Sequence, residues 1–233
     1  DQAFATAAVN NVLYAVGTIV PAVAIALGLA LMLRRSNTVN TLFRTLFFFP
    51  TLVPLVAAAA LFLFIFLPGI GLLDHYLARL GAQSTNWLGD PHVALGSIVL
   101  ITVWKNAGYY MLFFLAGLQG MPEDAEEAAL IEGAHALQRF WYVTLPYLRP
   151  TIGFVAVIAL INAVTQVDHV IVMTQGGPNN ATNLVLYYIY QNAHEFWDQG
   201  KATAATVVSL AALLVLSAAS LRTLERGVHY EAD

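Results

Sequence analysis

Met121-Pro-Glu-Asp-Ala-Glu-Glu-Ala-Ala-Leu-Ile-Glu-Gly-Ala-His-Ala-Leu-Gln-Arg-Phe-Trp-Tyr-Val-Thr-Leu-Pro-Tyr-Leu-Arg-Pro150 reads as two short helices joined at a glycine. Pro122 suits the first helical position, and Glu123, Asp124, Glu126 and Glu127 complement the positive end of the helix dipole. Gly133 supplies the stop, so the first helix is predicted over 122–132. A second, carrying Leu137, Phe140, Trp141 and Thr144 at helical spacing, is predicted to run until Pro146 ends it. Ala125, Ala128 and Ala129 allow close backbone approach, so the pair forms a small, partly apolar knob suited to the groove of a partner. The residues equally allow an interfacial helix pair lying on lipid headgroups.

On either side of this segment the chain is too apolar for a water-soluble domain. Of 233 residues 59% are hydrophobic and 10% charged, where soluble domains carry roughly 45–50% and about 25%. A net charge of -4 provides no basic stripe for nucleic acid, and the lack of cysteine excludes disulfides and thiolate chemistry. A helical span takes about 20 apolar residues. Five stretches qualify, at 12–33, 46–67, 93–118, 151–173 and 203–221. Pro50 and Pro54 are expected to kink one end of the second without preventing it from spanning.

Lys and Arg are enriched on the cytoplasmic side of membrane proteins. Arg34, Arg35 and Arg44 fall between spans one and two, Arg139 and Arg149 between three and four, and Arg222 and Arg226 after five. Arg79 and Lys201 occupy the alternate loops. The chain is thus expected to start outside and end inside, with 120–150 cytoplasmic and the glycine-containing segments 68–92 and 175–201 external. The first ten residues lack a signal peptide's basic leader, and five spans with an external start fit a chain whose own first helix is missing.

Glu127-Ala128-Ala129, then Gly133-Ala134, Phe140 and Leu145-Pro146 resemble the EAA loop of binding-protein-dependent ABC importer permeases. One position departs, since Glu132 stands where that family commonly has Asp. Val103-Trp104-Lys105, Thr174-Gln-Gly-Gly-Pro178, Tyr187–Tyr190 and the tail Arg226-Gly-Val-His-Tyr230 are similar to the maltose and glycerol-3-phosphate type of carbohydrate permease. The resemblance implies an all-α polytopic transmembrane bundle of the type I importer permease fold, in the bacterial cytoplasmic (inner) membrane. It implies that Glu127, Ala128, Ala129, Gly133, Ala134, Phe140 and Pro146 belong to the coupling element that docks on an ATPase subunit. The implied partners are a second permease subunit, two ATPase subunits and an external solute-binding protein, with ATP and Mg on the ATPase and no cofactor on this chain.

The residues themselves agree that energy is handled elsewhere. Gly200-Lys201 lacks the upstream glycine of a phosphate-binding loop. The six histidines have no metal-ligand spacing, and no HExxH or GxSxG motif appears, so neither a metal site nor catalysis is expected.

Polar residues inside spans point to a path or to helix contacts. Thr102, Lys105, Asn106 and Tyr109 fall at i, i+3, i+4 and i+7 on the third span. Asn162, Thr165, Gln166 and His169 repeat that spacing on the fourth, with Asp168 at the flank. The two stripes are the candidate solute path, and polar glue between helices is the competing reading. A charge at the bilayer centre costs about 2.5–3.5 kcal/mol, so Lys105 needs a partner, either Asp168 or the solute. A single deep cation is thin provision for a phosphate, which favours a neutral sugar over a glycerol phosphate. A secondary transporter or channel for a small polar solute is the alternative class, and an intramembrane enzyme ranks below it.

Overall fold

A computed structural model describes residues 1–81 and 83–225. The tail motif from Arg226 to Tyr230 lies outside them. In chain order the elements are α1 (Gln2–Met32), α2 (Thr38–Leu52), α3 (Leu55–Ile65), α4 (Leu72–Arg79), α5 (Ala94–Gln119), α6 (Glu123–Ile131), α7 (Ala136–Arg139), a π-helical turn (Phe140–Thr144), α8 (Leu145–Tyr147), α9 (Arg149–Thr165), α10 (Asp168–Met173), α11 (Val185–His194) and α12 (Gln199–Glu225). The described residues are helical or irregular, with no strand.

The helices α1, α5, α12 and the α9–α10 pair are long and apolar enough to cross a membrane, and the bent pair α2–α3 passes the same test taken together. α5 is the central post. Ser97, Ile98, Ile101, Thr102, Lys105, Asn106, Tyr110, Met111, Phe114, Leu115 and Leu118 are buried around it. α1 buries Ala7, Asn11, Tyr14, Thr18, Ala22, Ala26 and Ala30, a stripe of mostly small side chains three or four residues apart, of which Tyr14 to Ala30 lie along α5 while Ala7 and Asn11 meet α11. Its other faces carry Val9, Val12, Leu13, Val16 and Val20, all exposed, as a helix bathed in acyl chains requires.

Three expectations change. The first helix extends ten residues ahead of the expected span, as far as Gln2, where the Asp1 carboxylate accepts from the Ala3 N–H at 2.9 Å. The expected second span is two helices meeting at 97°, not one kinked helix. Val53 is extended (φ -73°, ψ 127°) as the residue before Pro54, and Pro54 then starts α3 without a donor to give back to α2. In the fourth span the helix is interrupted where Gln166 is extended (φ -88°, ψ 112°), and it resumes at Asp168.

Candidate functional site

The 121–150 segment is built from caps. Pro122 is the cap of α6 and the helix begins one residue later, at Glu123. At the other end the Gly133 N–H donates to the Leu130 carbonyl at 3.0 Å and the Ala134 N–H to the Ala129 carbonyl at 2.9 Å. That bond pair is a Schellman motif, and it needs a left-handed residue, which Gly133 supplies at φ +80°. His135 then caps α7 in a capping box: its Nδ1 accepts from the Gln138 N–H at 3.3 Å, and the Gln138 side chain accepts from the His135 N–H at 3.0 Å.

Pro146 does not end the second helix. The chain widens into the π turn, where the Leu145 N–H donates to the Phe140 carbonyl, and helix continues through Pro146 to Tyr147. A wider turn moves the carbonyls that a proline ring would otherwise strike. Leu130, Ile131, Leu137, Trp141 and Tyr142 stay exposed on the segment, Ile131 at 87% and Tyr142 at 80%. Glu127 and Ala128 are exposed beside them, while Ala129, Ala134, Phe140 and Pro146 are partly covered.

Glu126 faces the other way. Arg34 Nη1 donates to its Oε1 at 2.6 Å and Nη2 to its Oε2, a two-pronged ion pair between α6 and the end of α1. The Arg34 bonds, with the Arg139 charge nearby, hold the Glu126 carboxyl below the usual range, and the same bond raises the Arg34 guanidinium.

The structure divides the two polar stripes inside the spans. Thr102, Asn106 and Asn162 come together with Thr18 and Tyr110 around a cavity of about 10 Å3, room for one water molecule. The Asn162 amide donates to the Tyr110 hydroxyl at 3.1 Å, and the Asn106 amide reaches the Gln166 carbonyl oxygen at 3.4 Å. Tyr109 is partly buried, edge-on to Phe113 at 5.0 Å. Thr165 points outward and returns its hydroxyl to the Ile161 carbonyl. His169 is wholly buried on the far side of the break, where its Nε2 meets the Tyr14 hydroxyl at 3.0 Å and Tyr14 meets Thr102 at 2.8 Å. The break at Gln166 is what separates these residues: a continuous helix would have kept Thr165 and His169 on one face.

Lys105 pairs neither with Asp168 nor with open space. Its ammonium donates to the main-chain carbonyls of Val53 at 2.5 Å, Thr51 at 3.1 Å and Pro50 at 3.4 Å. These are the carbonyls left over where α2 stops, so the lysine caps a helix end that lipid cannot solvate. α2 approaches closely because Gly108 has no side chain: a Cβ there would lie 1.8 Å from the Phe47 carbonyl oxygen.

Asp74 is buried and gathers the 68–92 loop. It accepts from the Gly69 N–H at 2.7 Å, from the Ser84 hydroxyl, and from Trp87 Nε1 at 2.6 Å. Those bonds, the Gly69 one foremost, pull its carboxyl down to about 2. The 174–184 turn is tied to α1, because the Asn10 amide donates to the carbonyls of Asn180 at 2.7 Å and Asn183 at 3.1 Å. Sequence reasoning missed Arg34–Glu126, Asp74, Asn10 and Tyr14. For Asn10, Asn11, Tyr14 and Thr18 a signal existed, since all are polar positions at helical spacing in an apolar helix.

Residues 22–230 match the family described as binding-protein-dependent transport system inner membrane component. The chain is 36% identical over 221 residues to the sn-glycerol-3-phosphate transport system permease protein UgpA of Brucella abortus biovar 1 (strain 9-941), covering 94% of this chain and 75% of that protein. It is 34% identical over 213 residues to the sulfoquinovosyl glycerol transport system permease protein SmoG of Agrobacterium fabrum (strain C58 / ATCC 33970), covering 91% and 69%. The fold is shared with a bacterial alginate ABC transporter crystallised in complex with an alginate pentasaccharide-bound periplasmic protein, at a TM-score of 0.87 and 22% identity over 97% of this chain and 80% of that one. A family match over nearly the whole length, joined to this helical bundle and its capped α6–α7 pair, means that the chain belongs to the inner membrane components of binding-protein-dependent transport systems.

Proposed function

We propose that this chain is the permease subunit through which an ATP-driven importer moves a sugar or a related polyhydroxylated solute, and that α6 and α7 are its docking element for the ATPase. The observation that carries the reading is the α6–α7 pair itself: two capped helices, joined at a left-handed glycine, that hold Leu130, Ile131 and Leu137 out in the open, with Trp141 of the following π turn. An exposed apolar knob of this kind fits a groove on a partner. Two ATPase subunits, carrying the ATP and Mg, a second permease subunit and an external solute-binding protein complete the assembly.

Relatives named for glycerol phosphate, sulfoquinovosyl glycerol and alginate transport support a carbohydrate-like solute. Within this chain the candidate path narrows to Thr102, Asn106, Asn162 and Gln166, which offer hydroxyl and amide groups suited to sugar hydroxyls. Lys105 is taken up by carbonyls, which favours a solute recognised without an ion pair inside the spans. The test is co-purification of the ATPase with Glu127→Lys, together with uptake in vesicles before and after ATP depletion. The expected results are lost association in the variant and loss of wild-type uptake when ATP is removed. Uptake that survives ATP depletion would identify a secondary transporter instead.

A further inference from the structure

The docking helix has two kinds of connection to the membrane domain. One is the chain itself, which enters α6 from α5 through Gly120 and Pro122 and leaves it through α7, the π turn and α8 into α9. The other is the Arg34–Glu126 pair, which crosses to α1 with open cavities of about 740 and 250 Å3 on its two sides, both lined in part by Arg34 and Glu126. Packing does not bridge that gap. The ion pair does.

Both ends of the pair are fixed in advance. Arg44 reaches back from α2 and donates to the Leu33 carbonyl from Nε at 3.1 Å and from Nη2 at 2.5 Å. Its Nη2 also reaches the Arg34 carbonyl at 3.2 Å. The main chain under Arg34 is therefore held while its side chain points at α6. Glu126 sits in the middle of α6, with Arg139 of α7 adding a second positive charge nearby. A planar guanidinium meeting a carboxylate through two parallel bonds fixes orientation as well as distance. Behind Arg34, the cytoplasmic half of α1 is packed into one core with α5 and α9: Ala22, Ala26, Ala30 and Leu33 lie with Tyr110, Met111, Phe114, Leu118, Leu148 and Val155.

We propose that Arg34 is a positioning residue for coupling: its pair with Glu126 joins α6 to the end of α1, so that displacement of the docking helix passes to α1 and, across the packed face, to α5. The inference rests on the docking role of α6 proposed above. α1 then moves with α6, and the polar cluster of Tyr14, Thr18, Thr102 and Asn106 lies along the same two helices.

The test uses the whole importer in vesicles with Arg34→Glu, Glu126→Arg and the double exchange. Each single reversal is expected to keep ATPase association, because the exposed face with Glu127, Leu130 and Ile131 is unchanged. Uptake and binding-protein-stimulated hydrolysis should fall by about tenfold, and the exchange should bring both back towards the wild-type level. Glu126→Gln, which keeps shape without charge, covers the case in which a reversal lowers the amount in the membrane, and it should shift uptake in the same direction. Wild-type uptake in the single variants, a double exchange no better than either single, or loss of ATPase association in the singles would each overturn the proposal. Failure of the docking role itself reads out differently, as normal association in Glu127→Lys.

Discussion

The Lys105 ammonium donates to the Val53 carbonyl at 2.5 Å, 52 positions away in sequence, and so a charge in the middle of one helix closes the open end of another. Two neighbouring carbonyls, of Thr51 and Pro50, share it. Lys105→Met should leave the Val53 and Thr51 carbonyls unpaired in an apolar setting, at about 1–3 kcal/mol for a buried unsatisfied group, while the Pro50 carbonyl keeps the Val53 N–H. The α2–α3 bend should loosen, with less folded protein after detergent extraction and a lower midpoint of thermal unfolding. Lys105→Arg, which keeps several donors, should lose less. Equal stability of the Met variant would show that the carbonyls find other partners.

Gly108 gives the second prediction. Its missing Cβ is the space that the Phe47 carbonyl occupies, so Gly108→Ala must push α2 off α5 or lose the fold. The loss should be at least the 1–3 kcal/mol typical of an overfilled core, because the obstructing atom is main chain and not a side chain that can turn away. Gly96→Ala on the same helix, where nothing lies within 4 Å, serves as the control and should behave as wild type. Expression level and unfolding midpoint of the two variants check it.

Gly133 separates conformation from volume. Nothing lies within 4 Å of a Cβ placed there, so the cost of a side chain is that of its positive φ alone. Gly133→Asn should therefore retain most ATPase association, since Asn tolerates the left-handed region. Gly133→Val should lose it at normal membrane level, because a β-branched residue there is strained by about 1–3 kcal/mol and the chain will relax by moving α6. Equal behaviour of the two variants would mean that the Schellman turn does not set the position of the docking helix.

Asp74 makes a pH prediction. Its folded value, about 2, lies below the ordinary carboxylate range of roughly 3.9. A depressed value stabilises the folded loop fully above the ordinary value and is lost as pH falls towards the folded one. Proteolysis of the 68–92 loop in right-side-out vesicles should therefore be unchanged between neutral pH and pH of about 5, and should accelerate only in stronger acid. Asp74→Asn, which cannot accept three bonds as an anion, should be cleaved faster already at neutral pH.

Asn162 and Gln166 distinguish path from glue. The Asn162 amide donates to Tyr110, whereas Gln166 sits at the helix break with one long contact to Asn106. Gln166→Ala should lower uptake per assembled importer by several-fold at little cost in stability. Asn162→Ala should lower both, by about 0.6 kcal/mol of stability for one interhelical bond. Normal uptake per complex in both variants would leave these residues as helix contacts only.

Much of the molecule is written locally. Apolar runs fix which segments enter lipid, because backbone groups there must be satisfied within a helix. The left-handed turn at Gly133 and the helix that it ends follow from residues within a dozen positions of one another, so the 121–150 segment could be read in outline from the sequence alone. Even there, the π turn that carries the helix past Pro146 is a local rearrangement that proline rules do not foresee.

Partners distant in the chain could not be read in this way. The sequence marks Lys105 as a charge that needs an explanation, and only the fold sets it against the end of α2 in place of Asp168 or a solute. Likewise Arg34 and Glu126 are ordinary surface charges until α1 and α6 bring them together over 92 positions. The fourth span shows the limit most directly: a four-residue polar stripe over 162–169 assumes one unbroken helix, and a single extended residue, Gln166, sends His169 to Tyr14 and Thr165 outward. Periodicity determines a face only while the helix lasts, and where a helix breaks is decided by the neighbours that satisfy its freed backbone groups.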